Sequence, residues 1–503
     1  MNWVKKMGHI WNLIQYIAHK VYKLKGLKRI KEDAIMSERA YSKYSYACEA
    51  LNIDVYFKFN NSIIFNTEKE IITNDGLSMK KCREVVVITE CRVEQYNGPM
   101  EISRYCRGQI LIIQGILSFF TGFPLTVYNV DNSSAGLTPI QYHQQKTHLR
   151  IDDLDFTSDL IKMLGRINEE PELIVTLLDR WRKAIYLKSE SYDADLYYDE
   201  ATLNFFHILE LFGECNAKEL KGELEKNIEN MLEKHFKSFY FNEMQVKQMV
   251  SQNKKAINSI LIGDYLNLSI KIKYFLEKYG MLDDNVSFFV DNMIKIRNAI
   301  AHGRITYQDK FIWPLPPFFN LAKDSYENIE FLFFMTANMI SKYVGINYWE
   351  KEWEEAKVYL LPPKDIIENF INDKLVIENF NSTMLFDGNE YNITWRTIFN
   401  HYIKKPKKAF LEKMEAKLKD YFVELHINEE RAPDIFNISL LFADSGDSSI
   451  RDKAVDNIKI IIMNKWYGWS NFKDAYSYLD FYNVKIKWYK EFLDSREYLN
   501  LSK

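Results

Sequence analysis

In the middle of this chain of 503 residues, apolar residues recur at the spacing of an α-helix. From Pro171 to Tyr348, apolar side chains recur three and four positions apart, which places them on one face of a helix. The segments with this spacing are PELIVTLLDRWRKAIYL, TLNFFHILELFGE, ELKGELEKNIENMLEKHF, NSILIGDYLNLSIKIKYFLEKYG, NVSFFVDNMIKIRNAIAHG and NIEFLFFMTANMISKYVG. A break rich in proline, WPLPPFF at 313–319, separates the last two. Six helices with short connections predict an all-α bundle.

The first 170 residues have a different pattern. IDVYFKF, SIIFN and EVVVITECRVE are short β-rich runs, and NDG at 74–76 is a turn signal. NSSAGLTP, residues 132–139, is predicted to be a loop. The apolar stretch 110–127 is interrupted by a glutamine, two glycines and a proline, so we expect a buried helix that runs into a turn, not a membrane span.

Two further features concern the ends of the chain. Residues 1–31 contain eight basic and no acidic residues, with apolar positions at helical spacing among them. Such a helix can lie on RNA, on an anionic membrane or on a partner, or can pack with its basic face in water. Near the other end, the prolines of VYLLPPKD at 358–365 stop the helical pattern, and a mostly helical, aromatic-rich segment follows.

These patterns predict a mainly α protein with an N-terminal α+β portion and a central helical bundle. The expected domains are residues 1–170, 171–349 and 350–503. The net charge of −3 does not by itself point to a nucleic-acid partner, so RNA binding would depend on local basic patches. Five cysteines without a CxxC pair argue against a disulfide framework and favour a reducing, cytoplasmic setting.

The segment MIKIRNAIAHGR contains the residues with the clearest chemistry. Arg297 and His302 are separated by four residues, and Asn298 follows the arginine directly. Arg297 continues an apolar helical stripe, so its guanidinium is expected to need an anionic or polar partner. Gly303 is a natural left-handed terminator, which places His302 at the end of the helix.

This set of side chains suits RNA cleavage without a metal. A histidine can exchange a proton near neutral pH, and an arginine offers forked donors that match phosphate oxygens. Asn298 could orient the phosphate or the histidine. Arg297 and His302 differ by about 140° around a straight helix, so a two-fold dimer could pool both residues around one cleft better than a single copy.

The segment RNAIAHG resembles the R-N-x(3)-H signature of the HEPN superfamily of helical ribonucleases. The upstream segment TLNFFHILELFGE looks like the first helix of the ApeA-like branch, where an acidic residue, here Glu210, follows an apolar run. The resemblance covers Pro171 to Tyr348. It implies a dimeric bundle with a composite site formed by Arg297, Asn298 and His302, and RNA cleavage that leaves a cyclic phosphate. Many relatives are toxins or abortive-infection proteins that cut host RNA after phage infection.

Two departures from the family pattern matter. The ApeA-like proteins place this domain last, whereas here a further segment follows it, so regulation need not match. HEPN toxins that are silenced by nucleotide transfer have a tyrosine two positions after the histidine, where this chain has Arg304. An antitoxin of that type is therefore not predicted.

Weaker candidates lie elsewhere. WRTIFNHY repeats the spacing with Arg396 and His401, but lacks the following asparagine and glycine. His143 and His148 have no carboxylate or cysteine at metal-ligand spacing, so neither a metal nor another cofactor is predicted. Basic residues that could contact RNA phosphates, although a solvated loop is typical of such runs, are Arg304, Lys404, Lys405, Lys407 and Lys408.

The sequence therefore predicts an RNA endonuclease of antiviral or toxin type that acts as a homodimer or higher homo-oligomer. Its terminal regions would sense a phage-derived or regulatory trigger or restrain activity, without stable membrane insertion. One alternative is a non-catalytic RNA-binding or assembly module built on the same helical dimer. Another is a membrane-associated effector, prompted by residues 1–31 and 110–127.

Overall fold

A computed structural model gives the structure of most of the chain. The described residues are 38–47, 53–72, 79–93, 97–126, 130–137, 147–151, 154–189, 197–263, 266–303, 323–466 and 472–501. Contacts divide the chain into a first unit, residues 1–114 and 126–160, and a second unit, residues 115–125 and 161–503. The described part is mostly helical with an N-terminal antiparallel sheet, which confirms the predicted fold class. The division into three domains stays a prediction.

Several predicted features lie outside the described residues. They are the basic segment 1–31, the NDG turn, His143, Arg304 and the WPLPPFF break.

The first unit is built on a seven-stranded sheet with the order β5-β1-β4-β3-β2-β6-β7, and each of these pairings is antiparallel. The strands are β1 Glu38–Ala47, β2 Ile53–Phe59, β3 Ser62–Ile72, β4 Met79–Val93, β5 Val130–Gly136, β6 His148–Ile151 and β7 Leu154–Asp155. The sequence predicted β2 and the apolar parts of β3 and β4, whereas β1, β6 and β7 were not predicted.

The loop prediction for NSSAGLTP is wrong over residues 132–136, which belong to β5. These small and polar residues have little strand propensity of their own. They pair with β1, from Tyr41 opposite Gly136 to Tyr46 opposite Val130. Backbone hydrogen bonds to an existing strand therefore override local preference.

Both faces of the sheet carry apolar side chains. Along β4, Val85 and Val87 lie on one face and Val86 and Ile88 on the other, and all four are buried. Helix α1, Pro99–Thr121, is linked to the sheet by the Gln114 amide, which donates a hydrogen bond to the Tyr46 hydroxyl at 2.8 Å. The apolar stretch predicted as a buried helix running into a turn forms the C-terminal part of α1, which confirms that prediction. No helix of the described ranges is both long and apolar enough to cross a membrane.

The helices that follow are α2 Thr157–Glu169, α3 Pro171–Ser189, α4 Tyr198–Lys237, α5 Glu243–Leu261, α6 Leu268–Lys278, α7 Asp284–Ala301, α8 Lys323–Val344, α9 Glu350–Lys357, α10 Lys364–Ile371, α11 Met384–Asp387, α12 Trp395–Lys404, α13 Lys408–Val423, α14 Ala432–Phe442, α15 Ser448–Asn464, α16 Phe472–Phe481, α17 Lys487–Leu493 and α18 Arg496–Leu501. Except for the start of α2, they belong to the second unit.

Helix α4 is the axis of the bundle, because it contacts α3, α5, α6, α7 and α8. The prediction of two helices, TLNFFHILELFGE and ELKGELEKNIENMLEKHF, is wrong, since α4 runs through both. Gly213 does not break it; a side chain there would meet Lys271 and Ile272 of α6, so the glycine permits close packing. The single helix predicted for NSILIGDYLNLSIKIKYFLEKYG is also wrong, because α5 ends at Leu261 and the Asn267 side chain caps a new helix, α6.

The last part of the chain forms a core of its own between residues 367 and 498. Buried aromatic rings pack against each other in this core, Trp395 against Phe422 and Phe436 against Tyr489. The break predicted at VYLLPPKD is confirmed, because α9 ends at Lys357 and α10 begins at Lys364.

Candidate functional site

Local sequence signals define both ends of α7, the helix with the RNAIAHG segment. The Asp283 side chain accepts a hydrogen bond from the Val286 backbone N–H at 2.8 Å and caps the first turn. At the other end, His302 is the C-cap residue, and Gly303 has a φ of +64°. The prediction that Gly303 terminates the helix and places His302 at its end is therefore confirmed.

Arg297 lies at the end of the apolar stripe of α7, and its guanidinium has three partners. The stripe residues Val286, Val290 and Met293 are fully buried, whereas 30% of the Arg297 side chain is exposed. Its Nη2 forms an ion pair with the Glu210 carboxylate of α4, and its Nη1 donates to Asn298 Oδ1 at 3.0 Å. The guanidinium carbon is 5.7 Å from the centre of the buried Phe206 ring. The expected anionic partner is therefore present, and it is the acidic residue indicated by the family resemblance.

His302 is exposed, and its ring makes no hydrogen bond or ion pair with the residues that the structure describes. Its backbone N–H donates to the Asn298 carbonyl at 3.1 Å. No contact between the side chains of Arg297 and His302 is found in the described part of the chain. One copy brings Arg297, Asn298 and Glu210 together but leaves the histidine ring apart from them, as expected for two positions that differ by about 140° around a helix.

His207 belongs to the same polar cluster and was not singled out by the sequence analysis. It lies on α4 one turn before Glu210 and is half-buried. Its Nδ1 atom is buried without a hydrogen-bond partner among the described residues. Burial lowers the pKa of His207, and so do the positive charges of Arg180 and Arg297, while Glu210 acts in the opposite direction. The signal that could have found it is the three-residue spacing to Glu210, which places both on one helix face.

The second Arg-x(4)-His match does not reproduce this arrangement. Arg396 lies over the Tyr359 ring at 5.7 Å, and His401 Nε2 is 3.8 Å from the Glu368 carboxylate. Burial lowers the pKa of His401, and so do the nearby lysines, while Glu368 acts in the opposite direction. His148 begins β6, and its Nε2 is 3.7 Å from the Asp54 carboxylate.

The four predicted RNA-contacting lysines that the structure describes are all exposed. Lys404 ends α12 and Lys405 follows it, whereas Lys407 directly precedes α13 and Lys408 begins it. Lys408 lies 3.9 Å from the Glu412 carboxylate. Across the described residues, no three His, Cys, Asp or Glu side chains are close enough together to hold a metal ion.

Comparison with protein-family models, curated proteins and solved structures finds no significant match to this chain. The resemblance to HEPN ribonucleases therefore depends on the RNAIAHG segment and the helix that contains Glu210.

Proposed function

We propose that the protein is a metal-independent RNA endonuclease of antiviral or toxin type, with Arg297, Asn298 and His302 as its catalytic residues. The observation that supports this most is the partly exposed Arg297 guanidinium, which is fixed by Glu210 and Asn298 on the helix that ends at the exposed His302. A guanidinium has five N–H donors, so two partners leave donors for a phosphate.

The proposed reaction is an attack by the ribose 2′-oxygen on the adjacent phosphorus. A histidine takes the 2′-hydroxyl proton as the new O–P bond forms, and an acid gives a proton to the 5′-oxygen as its bond to phosphorus breaks. The products are a 2′,3′-cyclic phosphate and a 5′-hydroxyl end. Arg297 stabilises the charge on the phosphate oxygens during this step.

The proposed active form is a two-fold dimer. One copy provides a single His302, whereas the reaction uses both a base and an acid. A second copy that brings its own α7 end to the same cleft would supply the second histidine and a second guanidinium. This arrangement also removes the difficulty that Arg297 and His302 point in different directions on one helix.

Cleavage assays with matched variants test the proposal. Wild type should cut single-stranded RNA with EDTA present, and loss of Arg297 or His302 should slow cleavage by about 10²–10⁴-fold. Arg431→Ala is a close control for Arg297→Ala, because Arg431 is 32% exposed, pairs with Asp387 and lies over the Phe386 ring. His426→Ala is the control for His302→Ala, since His426 is an exposed histidine just after α13. Equal cleavage by the variants and their controls would refute the proposed roles.

The toxin role is tested in cells. Wild-type expression should stop growth and fragment cellular RNA, whereas His302→Ala expression should do neither. Purified protein that binds RNA in a salt-dependent way but never produces fragments would favour the non-catalytic RNA-binding module. That alternative is favoured by a group of exposed lysines that could contact RNA phosphates: Lys404, Lys405, Lys407 and Lys408.

A further inference from the structure

A cavity of about 420 Å³ lies in the second unit between α7, α8, α10 and α12. Neither Arg297 nor His302 lines it. On α7 the wall is formed by Phe288, Phe289, Asn292, Lys295 and Ile296. A volume of this size suits a small organic molecule and not a macromolecular surface.

Four lysines surround the cavity: Lys295, Lys364, Lys404 and Lys405. All four are exposed, and none has an ion pair or hydrogen bond from its ammonium group to the described residues. Other lysines of the same unit do have carboxylate partners, for example Lys271 with Glu214 at 2.7 Å. Among the described wall residues, Glu368 is the acidic one, and its carboxylate lies 3.8 Å from His401, which also lines the cavity. Among the described residues, the wall therefore has more lysines than carboxylates, and these lysines have no carboxylate partner.

The inner wall is apolar and aromatic. Phe289 and Phe331 meet edge to face at 5.8 Å, and Phe288 beside them is half-buried. The side-chain amides of Asn292 and Asn400 also line the cavity, and neither has a hydrogen bond within the described residues. Aromatic rings with free amides suit a planar heterocycle, because the rings offer a stacking surface and the amides offer both donors and acceptors.

We propose that this cavity binds a nucleotide, with the base against Phe288, Phe289 and Phe331 and the phosphate among the four lysines. The shared chemistry is an aromatic base joined to a phosphate, which a free nucleotide and the end of an RNA strand both provide. Lysine ammonium groups bind phosphate oxygens as mobile point charges, so the exposed rim suits the phosphate and the buried wall suits the base.

The cavity shares α7 with the candidate catalytic residues. Lys295 and Ile296 lie directly before Arg297 in the chain, on another face of the helix. A nucleotide bound in the cavity would therefore shift α7, and with it Arg297, and so change the rate of RNA cleavage. This second part rests on the proposed nuclease function, whereas nucleotide binding does not.

Calorimetry on the full chain tests the binding, with AMP, ATP, inorganic phosphate and a 2′-O-methyl oligonucleotide as probes. AMP or ATP should bind, and the Lys404→Ala/Lys405→Ala variant should weaken binding by about tenfold or more. The matched control is Lys407→Ala/Lys408→Ala, which removes the same charge from exposed positions outside the cavity wall. Phe288→Ala should weaken AMP binding but leave the weak binding of phosphate unchanged.

No binding of AMP or ATP, equal affinity for phosphate and AMP, or equal loss in both lysine variants would overturn the proposal. Competition between the oligonucleotide and AMP would support it and identify an RNA end as a source of the ligand. Arg297→Ala should bind nucleotide like wild type. Nucleotide binding without any cleavage would therefore refute the proposed function alone, and cleavage without nucleotide binding would refute this inference alone.

Discussion

Arg297 of α7 is ion-paired with Glu210 of α4, a residue 87 positions earlier in the sequence. Both side chains are partly buried, with 30% of Arg297 and 24% of Glu210 exposed. The pair joins two helices of the bundle and fixes the guanidinium that we propose binds the RNA phosphate. It therefore contributes to both stability and orientation.

Replacement of Glu210 should affect both of these properties. Glu210→Gln removes the charge but keeps the shape, so we expect about 1–2 kcal/mol of lost unfolding free energy and slower RNA cleavage. Urea denaturation and cleavage rates measure the two effects. Glu219→Gln on the same helix is the control, because its partner Lys278, at 2.6 Å, forms a more exposed pair. Equal destabilisation by the two variants would contradict a special role for the pair.

The pKa of His207 should respond in opposite directions to changes in its neighbours. The positive charge of Arg297 lowers this pKa and the negative charge of Glu210 raises it. Arg297→Ala should therefore raise the pKa of His207, and Glu210→Gln should lower it further. NMR titration of the imidazole signals measures both shifts. A pKa that moves in the same direction in both variants would show that the cluster is not arranged as described.

His207 should also make stability depend on pH below neutrality. Its folded-state pKa is lowered, so at acidic pH the unfolded chain binds a proton that the folded chain does not. The free energy of unfolding should fall as the pH drops below about 6.5, the ordinary histidine value. Removal of the ring in His207→Gln should make that fall smaller. Denaturant unfolding of both proteins between neutral and acidic pH tests this, and parallel profiles would argue against it.

Gly303 should be required for its backbone conformation. Among the described residues, an added Cβ at Gly303 would meet nothing within 4 Å, so we attribute the cost of Gly303→Ala to the φ of +64°. We expect about 1 kcal/mol of destabilisation, measured by thermal or urea unfolding. Gly222→Ala in α4 is the control; its added Cβ also meets nothing within 4 Å, and the helical backbone there favours alanine by about 0.5–1 kcal/mol. If both variants shift stability in the same direction, the conformational explanation fails.

Mixing inactive variants tests the composite site. In the proposed dimer, Arg297→Ala lacks both guanidinium groups and His302→Ala lacks both imidazoles, whereas a mixed dimer keeps one of each. Random re-pairing produces about half mixed dimers. Each mixed dimer keeps one guanidinium for the phosphate and one histidine for a proton transfer, so the mixture should cleave RNA faster than either variant alone but more slowly than wild type. A mixture that is as slow as its components would indicate that each site is completed within one chain.

Local signals in the sequence are sufficient to set the ends of α7, the helix that carries the candidate site. The Asp283 cap and Gly303 act within one helical turn, so their consequences do not depend on distant parts of the chain. The apolar stripe through Met293 likewise indicated that Arg297 would need a partner. In β5, by contrast, the pairing with β1 formed a strand from residues whose own preference indicated a loop.

Sequence by itself determined the class of fold, the ends of α7 and the chemical types of the candidate site residues, because periodicity and capping are local properties. Tertiary structure alone decided that Arg297 meets Glu210, that His207 joins them, and that Lys404 and Lys405 face the cavity beside α7 while Lys407 and Lys408 do not. These relationships depend on how helices distant in sequence pack together, and packing is fixed by the whole core and not by any one segment.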